Sequence, residues 1–520
     1  MGEPTTLPAL LQRNAETYGD KPAIITSDSA ISHAALDAES RALAARFAAA
    51  GAGKGTRVGI VMPNGIEWAV IAAAVARIGS VLVPLSTLLR PPELEAQLQL
   101  AGVAQLVTAR EFRGRAYLDD LEAIAPGIVA ETQRGRRIAA LSALRAIWTA
   151  DALPEPAVDD ELVAALEARV SPADDFVVMF TSGSRGAPKG TIHTHGNALR
   201  AVASGLEARR IGPDDRLYIP MPFFWTGGLA AGLLTALVAG ATLLTEAIPE
   251  PVQTLAMLER ERATLFRGWP DQAAALAAHP QCADTDLSSL GPGTLPALLP
   301  PDARPKPGAR ANLLGMTETF GPYSGARGDI DLPRTKYGSC GQLLPGVEVR
   351  IVDTETRVAV TAGAIGEICL RGPNVMRAIC GRTRDSTFDA DGYYATGDLG
   401  ALDADGYLWL HGRADDMFKV KGATVYPSEV EAALRSIDGV QQAHVTNAGI
   451  AGNANTVGAL VVSTLSIDEI ATDVRGRLSA FKVPTRWFVT GSADDVPMLP
   501  TAKIDKPALQ ELLLRKGTDR

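Results

Sequence analysis

Over the first 330 residues, short apolar runs alternate with helix-length stretches, and this restricts the fold more than any other feature. Residues 21–26 (KPAIIT) read as a strand, and residues 33–52 as a helix with apolar positions at helical spacing, ending at Gly51. Residues 57–63 (RVGIVMP), 67–80 and 81–86 (VLVPLS) then read as strand, helix and strand. A second run begins at residues 176–184 (FVVMFTSGS), continues with a helix near 197–208, and reaches a strand at 216–222. Such alternation dictates parallel sheets wrapped by helices. Beyond about Lys336 the texture changes to strands punctuated by glycine turns, as in residues 347–353, 366–373, 391–400 and 405–413. That stretch predicts an antiparallel, barrel-like region. From Arg413 onward a strand, a turn, a helix and two further strands predict a closing α+β unit of roughly 100 residues. Residues 153–167, rich in proline and acids, read as a connector.

The most apolar stretch, residues 226–245, is long enough to span a bilayer. Glu246 follows it directly and no basic flank does, so it reads instead as a buried helix, a turn near Gly240 and a core strand. The net charge of −9 argues against general binding to nucleic acid or anionic membranes, which requires basic patches. The four cysteines, Cys282, Cys340, Cys369 and Cys380, form no C-x-x-C pair. This disfavours a metal cluster or disulfide framework and suits a reducing, cytoplasmic setting. No signal-peptide pattern opens the sequence.

One loop carries chemistry. The strand at 176–180 runs into Thr181-Ser182-Gly183-Ser184-Arg185-Gly186-Ala187-Pro188-Lys189-Gly190. Small residues let backbone N–H groups approach a polyphosphate, hydroxyls donate to it and a lysine neutralises it. It is not a Walker A loop, because no Gly-Lys pair precedes a Ser or Thr. Alone, such a turn is as readily an ordinary surface loop.

Further segments follow in order: Pro63-Asn64-Gly65-Ile66-Glu67-Trp68 upstream, then Gly315-Met316-Thr317-Glu318-Thr319, Tyr394-Ala395-Thr396-Gly397-Asp398, Gly412-Arg413-Ala414-Asp415-Asp416 continuing to Lys421-Gly422, and Pro500-Thr501-Ala502-Lys503. Together with the loop they resemble the signatures of the adenylate-forming superfamily of acyl- and aryl-CoA synthetases, peptide-synthetase adenylation domains and luciferases. In motif style they lie nearest the acyl- and aryl-CoA ligases. The resemblance implies an α/β fold with a large N-terminal domain of two doubly wound α/β subdomains plus a distorted β-barrel (residues 1–412), a hinge at 413–415, and a small mobile α+β C-terminal domain (416–520). It implies ATP, Mg2+ and coenzyme A as cofactors, and activation of a carboxylic acid as an acyl-adenylate before transfer to a thiol. The expected partners are a small acid and CoA or an acyl carrier protein, for a chain acting as monomer or homodimer without nucleic acid or stable membrane insertion. A nucleotide- or acyl-binding paralogue without catalysis is the reading of a different class.

Residue by residue, the resemblance assigns the nucleotide to Thr181, Ser182, Gly183, Ser184, Arg185, Gly186 and Lys189 around the β- and γ-phosphates. Gly315, Met316 and Thr317 belong to the same set, with Thr317 at the α-phosphate. Asp398 accepts from the ribose hydroxyls, and Arg413 lies near the ribose or phosphate. Glu318 holds the metal, a hard cation that takes carboxylate and phosphate oxygens. Lys503 neutralises the developing oxyanion, so that Lys503, Thr317 and Glu318 form the catalytic set. Asp415 is the hinge, and Lys421 and Gly422 line the CoA tunnel. Phe224, Trp225, Gly227, Gly228 and Leu314 line the acyl pocket, whose apolar walls predict a hydrophobic acid.

Four positions depart from the family pattern. Arg185 replaces a threonine, Leu314 a tyrosine beside the adenine, and Ala502 the glycine before the lysine. Trp225 stands where CoA ligases carry histidine. It either reshapes the pocket toward an apolar acid, weakens thiol transfer, or simply packs beneath the loop.

Overall fold

A computed structural model of the chain describes all residues except 1–3, 156, 183–187, 415, 421–422, 450–455, 479 and 500–502. It divides into two compact units, one of Met1–Glu348 with Leu370–Tyr394, the other of Val349–Cys369 with Ala395–Arg520.

The first unit carries two α/β sheets. One has seven strands, in the order Ala378–Ile379, Pro188–Thr194, Asp175–Ser182, Val81–Pro84, Arg57–Val61, Gln105–Thr108 and Ala146–Thr149. Its last five strands are parallel, and the first two add antiparallel at one edge. The other sheet orders Leu265–Phe266, Arg216–Tyr218, Thr242–Leu244, Pro22–Ile25 and Ala30–Ser32, parallel except for its last pair. The helix Ile66–Arg77 is buried continuously from Trp68 onward and shares one core with strands of both sheets. A helix enclosed by apolar layers must be apolar all round, as this one is. Its terminal Arg77 is buried but paired, with Asp37 and with Glu167, the latter at 2.5 Å.

That glutamate corrects the reading of residues 153–167 as a connector, because Asp160–Glu167 is a helix. The Asp159 carboxylate caps it by accepting from the Leu162 amide at 2.8 Å, and Val163 is fully buried. The proline- and acid-rich composition concealed one apolar anchor and an N-cap.

Residues 226–245 fold as expected into a buried helix, a left-handed Gly240 and the strand Thr242–Leu244. Its middle turn, Leu229–Leu234, is wound as a π-helix, beside which the Thr235 hydroxyl donates to the Ala230 carbonyl at 2.7 Å. Gly240 has φ of 69°, and a Cβ there would lie 2.2 Å from the Tyr18 ring, so no other residue fits. Among the described residues no helix is long and apolar enough to cross a membrane.

The glycine-punctuated stretch and the residues just before it form two further sheets. Leu314–Met316, Gly321–Gly325 and Gln342–Leu343 pair antiparallel in the first unit. A four-stranded sheet runs Glu348–Val352, Gly366–Arg371, Tyr394–Leu402 and Leu408–Arg413. The second unit closes with a sheet of Val440–Asn447, Val457–Ser463, Arg486–Thr490 and Thr518–Asp519, covered by the helices Pro427–Arg435, Ile467–Arg475 and Lys506–Lys516.

Candidate active site

The loop strand and its return form a hairpin. Asp175–Ser182 pairs antiparallel with Pro188–Thr194, which sets Lys189 opposite Thr181. Residues Gly183, Ser184, Arg185 and Gly186 lie outside the described residues. Lys189 and His193 fall four apart on the returning strand, so both side chains leave the same face.

Lys189 Nζ meets the Glu318 carboxylate and donates to the Tyr394 hydroxyl at 2.6 Å. The Tyr394 hydroxyl in turn donates to Glu318 Oε1 at 3.1 Å. Cation, carboxylate and phenol thus close a triad, with the two charged side chains only 16% and 8% exposed. Pairing of this kind is what allows two charges to remain in so dry a place. Phe388 packs edge-on to the Tyr394 ring at 6.3 Å.

Glu318 sits in a short 3-10 turn, Thr317–Thr319, between two antiparallel strands. The Met376 amide donates to the Glu318 carbonyl at 2.7 Å, and the Thr226 hydroxyl to Thr317 Oγ1 at 3.2 Å. Phe320 then turns left-handed, with φ of 53°. Gly315 precedes the turn where a Cβ would stand 2.5 Å from the Gly321 carbonyl oxygen, so the close strand approach demands glycine. Leu314 and Met316 flank it, both half-buried.

Thr226 ties this turn to the aromatic loop before it. Trp225 is half-buried, its ring edge-on to Phe224 at 5.1 Å and to Trp269 at 5.8 Å. Asn64 fixes the loop's path. Its Oδ1 accepts from the Phe223 amide at 2.7 Å, while Nδ2 donates to the Met221 carbonyl at 2.9 Å and to Thr245 Oγ1 at 3.1 Å. Gly228 is a backbone necessity, since a Cβ would lie 2.1 Å from the Pro222 carbonyl oxygen. At Gly227 a Cβ would meet only the Met221 sulfur, at 2.3 Å.

Asp398 and Arg413 belong to the second unit. They stand opposite each other on neighbouring antiparallel strands and pair at 3.1 Å. Arg413 also donates to the Thr396 carbonyl at 3.0 Å, and Gly397, with φ of 76°, leaves room for the guanidinium. Lys503 is exposed, and its carbonyl accepts from the Leu499 amide at 2.7 Å. Asp415, Lys421 and Gly422 lie outside the described residues.

The structure therefore brings together Thr181, Lys189, Thr317 and Glu318, with Gly315 and Met316 leading into the turn. Sequence reasoning gave no role to Tyr394, His193, Asn197 or Trp269, although Tyr394 stands inside a quoted motif. The strand alternation that aligns Lys189 with His193 was the one available signal for the histidine.

Among the described residues no three His, Cys, Asp or Glu side chains cluster as a metal cage. A magnesium ion carried by polyphosphate asks the protein for only one or two carboxylates. Glu318, whose present partners are an ammonium and a phenol, meets that requirement.

A family description, "AMP-binding enzyme", matches residues 11–379. The putative acyl-CoA synthetase YngI of Bacillus subtilis is 30% identical over 98% of this chain and 97% of its own. A methyl-dioxo-octahydroindenyl-propanoyl:CoA ligase of Mycobacterium tuberculosis is 33% identical over 98% of this chain and 99% of its own. Among solved structures, ATP-bound MatB from Rhodopseudomonas palustris superposes with a TM-score of 0.77 at 25% identity, covering 98% of this chain and 99% of that one.

Proposed function

The chain belongs to the AMP-binding enzyme family, and from that premise we propose that it joins a hydrophobic carboxylic acid to coenzyme A through an acyl-adenylate. In the first step a carboxylate oxygen attacks the α-phosphorus of ATP, and the bond to the bridging oxygen breaks to release pyrophosphate. In the second the CoA sulfur, having lost its proton, attacks the acyl carbon and AMP departs.

The observation that carries this reading is the Lys189–Glu318–Tyr394 triad beside the Thr317 turn. Joining two anions requires charge to be screened and the attack aligned, and preorganised groups supply both. Lys189 is the cation for the β- and γ-phosphates, to which Thr181, Ser182 and the loop that follows them are also assigned. Thr317 faces the α-phosphate, and Glu318 holds magnesium, which screens the phosphates when bound. In the second unit Asp398 receives the ribose, with Arg413 beside it, and Lys503 is the cation for the attacking carboxylate. Residues 413–415, with Asp415, serve as hinge, and Lys421 and Gly422 border the CoA arm.

Phe224, Trp225, Gly227, Gly228 and Leu314 wall the acyl pocket, to which the Trp225 contact adds Trp269. This aromatic wall favours an apolar acid. No disulfide joins the four cysteines, as suits a cytoplasmic protein, and the enzyme works as a monomer or homodimer.

The test is pyrophosphate release and hydroxylamine trapping across a panel of aromatic, alicyclic and medium-chain acids, with and without CoA. Trapped hydroxamate without CoA, and thioester with it, are expected for a subset of acids. Absence of pyrophosphate release with every acid refutes the reading. Hydroxamate without thioester moves the acceptor from CoA to a carrier protein.

A further inference from the structure

His193 has no part in the scheme above, yet it is fully buried and fully committed. Its Nε2 lies 2.8 Å from the Thr317 carbonyl oxygen, and its Nδ1 lies 2.9 Å from Asn197 Nδ2. Its ring also rests on Phe320, at 4.7 Å between centroids. The proton's place on this imidazole can be deduced from its neighbours.

Asn197 Oδ1 accepts from the Thr194 amide at 2.6 Å, as the third helical residue of a capping box that opens the helix His195–Ser204. Only an oxygen can accept there. At the other end, Asn197 Nδ2 reaches the Val375 carbonyl at 3.2 Å, and only an N–H can donate to that. The amide orientation is fixed at both ends, so Asn197 donates to His193 Nδ1. That nitrogen is an acceptor, the proton resides on Nε2, and His193 donates to the Thr317 carbonyl. Burial also pushes its pKa down to about 4, so the ring is neutral near pH 7.

We propose that His193, oriented by Asn197, is a positioning residue that holds the Thr317–Glu318 turn in register with Lys189. The proposal rests on the nucleotide and metal roles assigned to those residues above. One strand face grips the turn twice: Lys189 takes the Glu318 carboxylate and His193 the Thr317 carbonyl. A second donor to that carbonyl, the Phe320 amide at 3.0 Å, closes the turn itself but cannot tie it to the sheet. The helix cap, the strand and the catalytic turn are thereby linked through one side chain. Positioning of this kind acts on the chemical step, where a small misplacement costs rate steeply.

His193→Phe keeps the ring volume against Phe320 and removes only the polar contacts. His193→Gln keeps an N–H that reaches the same carbonyl. In acid-dependent ATP–pyrophosphate exchange, His193→Phe should lower kcat about tenfold or more and leave the KM for the acid within about twofold, while His193→Gln should stay within about threefold of the parent. Amide hydrogen exchange, read on the same folded variants, should quicken at residues 317–320 in the Phe variant and not in the Gln variant.

Parental kcat in a folded His193→Phe enzyme overturns the proposal, as does equal impairment of both variants, which marks a packing role. If the parent itself exchanges no pyrophosphate, the catalytic reading fails instead. The exchange rates at 317–320 then decide the structural link by themselves, with unchanged protection in His193→Phe refuting it.

Discussion

Glu318→Gln should reverse the metal preference of nucleotide binding. The Glu318 carboxylate is neutralised by Lys189, the same cation assigned to the ATP phosphates. ATP without magnesium must pull Lys189 away and then face an uncompensated carboxylate. Two unit charges about 4 Å apart attract by about 4 kcal/mol at an effective dielectric near 20. Side-chain exposures of 16% and 8% make that reduced dielectric the appropriate one for this pair. Relief of only a third of that energy, about 1.4 kcal/mol, is a tenfold change in affinity. The variant should therefore bind metal-free ATP about tenfold more tightly than the parent. It should bind Mg-ATP more weakly, having lost the carboxylate that takes the ion, and should lose about 100-fold or more in adenylation. Isothermal titration in EDTA and in excess magnesium reads both affinities on the same protein. Metal-free ATP binding that is unchanged or weaker in Glu318→Gln would falsify the competition argument.

Three further outcomes follow from other parts of the molecule. Lys503→Ala should reduce adenylate formation about 100- to 1000-fold and spare CoA attack on a supplied acyl-adenylate, as separate half-reaction assays will read; equal losses in both contradict its role. Gly228→Ala drives a Cβ to 2.1 Å from a backbone oxygen and should cost about 1–3 kcal/mol of stability along with acid binding, whereas Gly227→Ala meets only the end of Met221 and should be tolerated; denaturant midpoints and KM values for the acid compare the pair. His33, His193 and His195 are each at most 1% exposed, and burial lowers each imidazole from 6.5 to about 4. The folded chain then binds fewer protons than the unfolded chain between these values. The stability from neutral imidazoles is present above pH 6.5 and is lost as pH falls toward 4, at up to about 1.4 kcal/mol per pH unit for each ring. Denaturant midpoints at pH 7, 6 and 5 that coincide would refute this.

Much of the architecture could be read locally, because strand and helix periodicities are local properties. The run Arg57–Val61, Ile66–Arg77, Val81–Pro84 follows its apolar pattern almost residue for residue. The loop strand was legible too, though its hydrogen-bonded length, Asp175–Ser182, exceeds the apolar core of Phe176–Phe180 because the return strand extends the ladder. What escaped was partnership across distance. Tyr394 meets Lys189 from 205 residues away, and Asn64 meets the Phe223 amide from 159. Such contacts depend on sheet order, about which spacing along the chain is silent. The helix Asp160–Glu167 escaped for another reason: at two turns, with only Val163 and Leu166 packed on the core, it is too short for a helical period to stand out from its acidic surroundings.

The three hydrogen bonds of Asn64 carry a lesson for engineering. Residues 221–228 look like a cassette, ready to be exchanged for that of another enzyme to alter which acid is taken. Their curvature, however, is held from outside by the Asn64 carboxamide, which follows a strand of the neighbouring sheet and is itself anchored to the Thr245 hydroxyl. A transplant that moves the segment without its tether carries the rings and leaves their arrangement behind, so chimaeras at this locus should be cut to include residues 63–68 and 245.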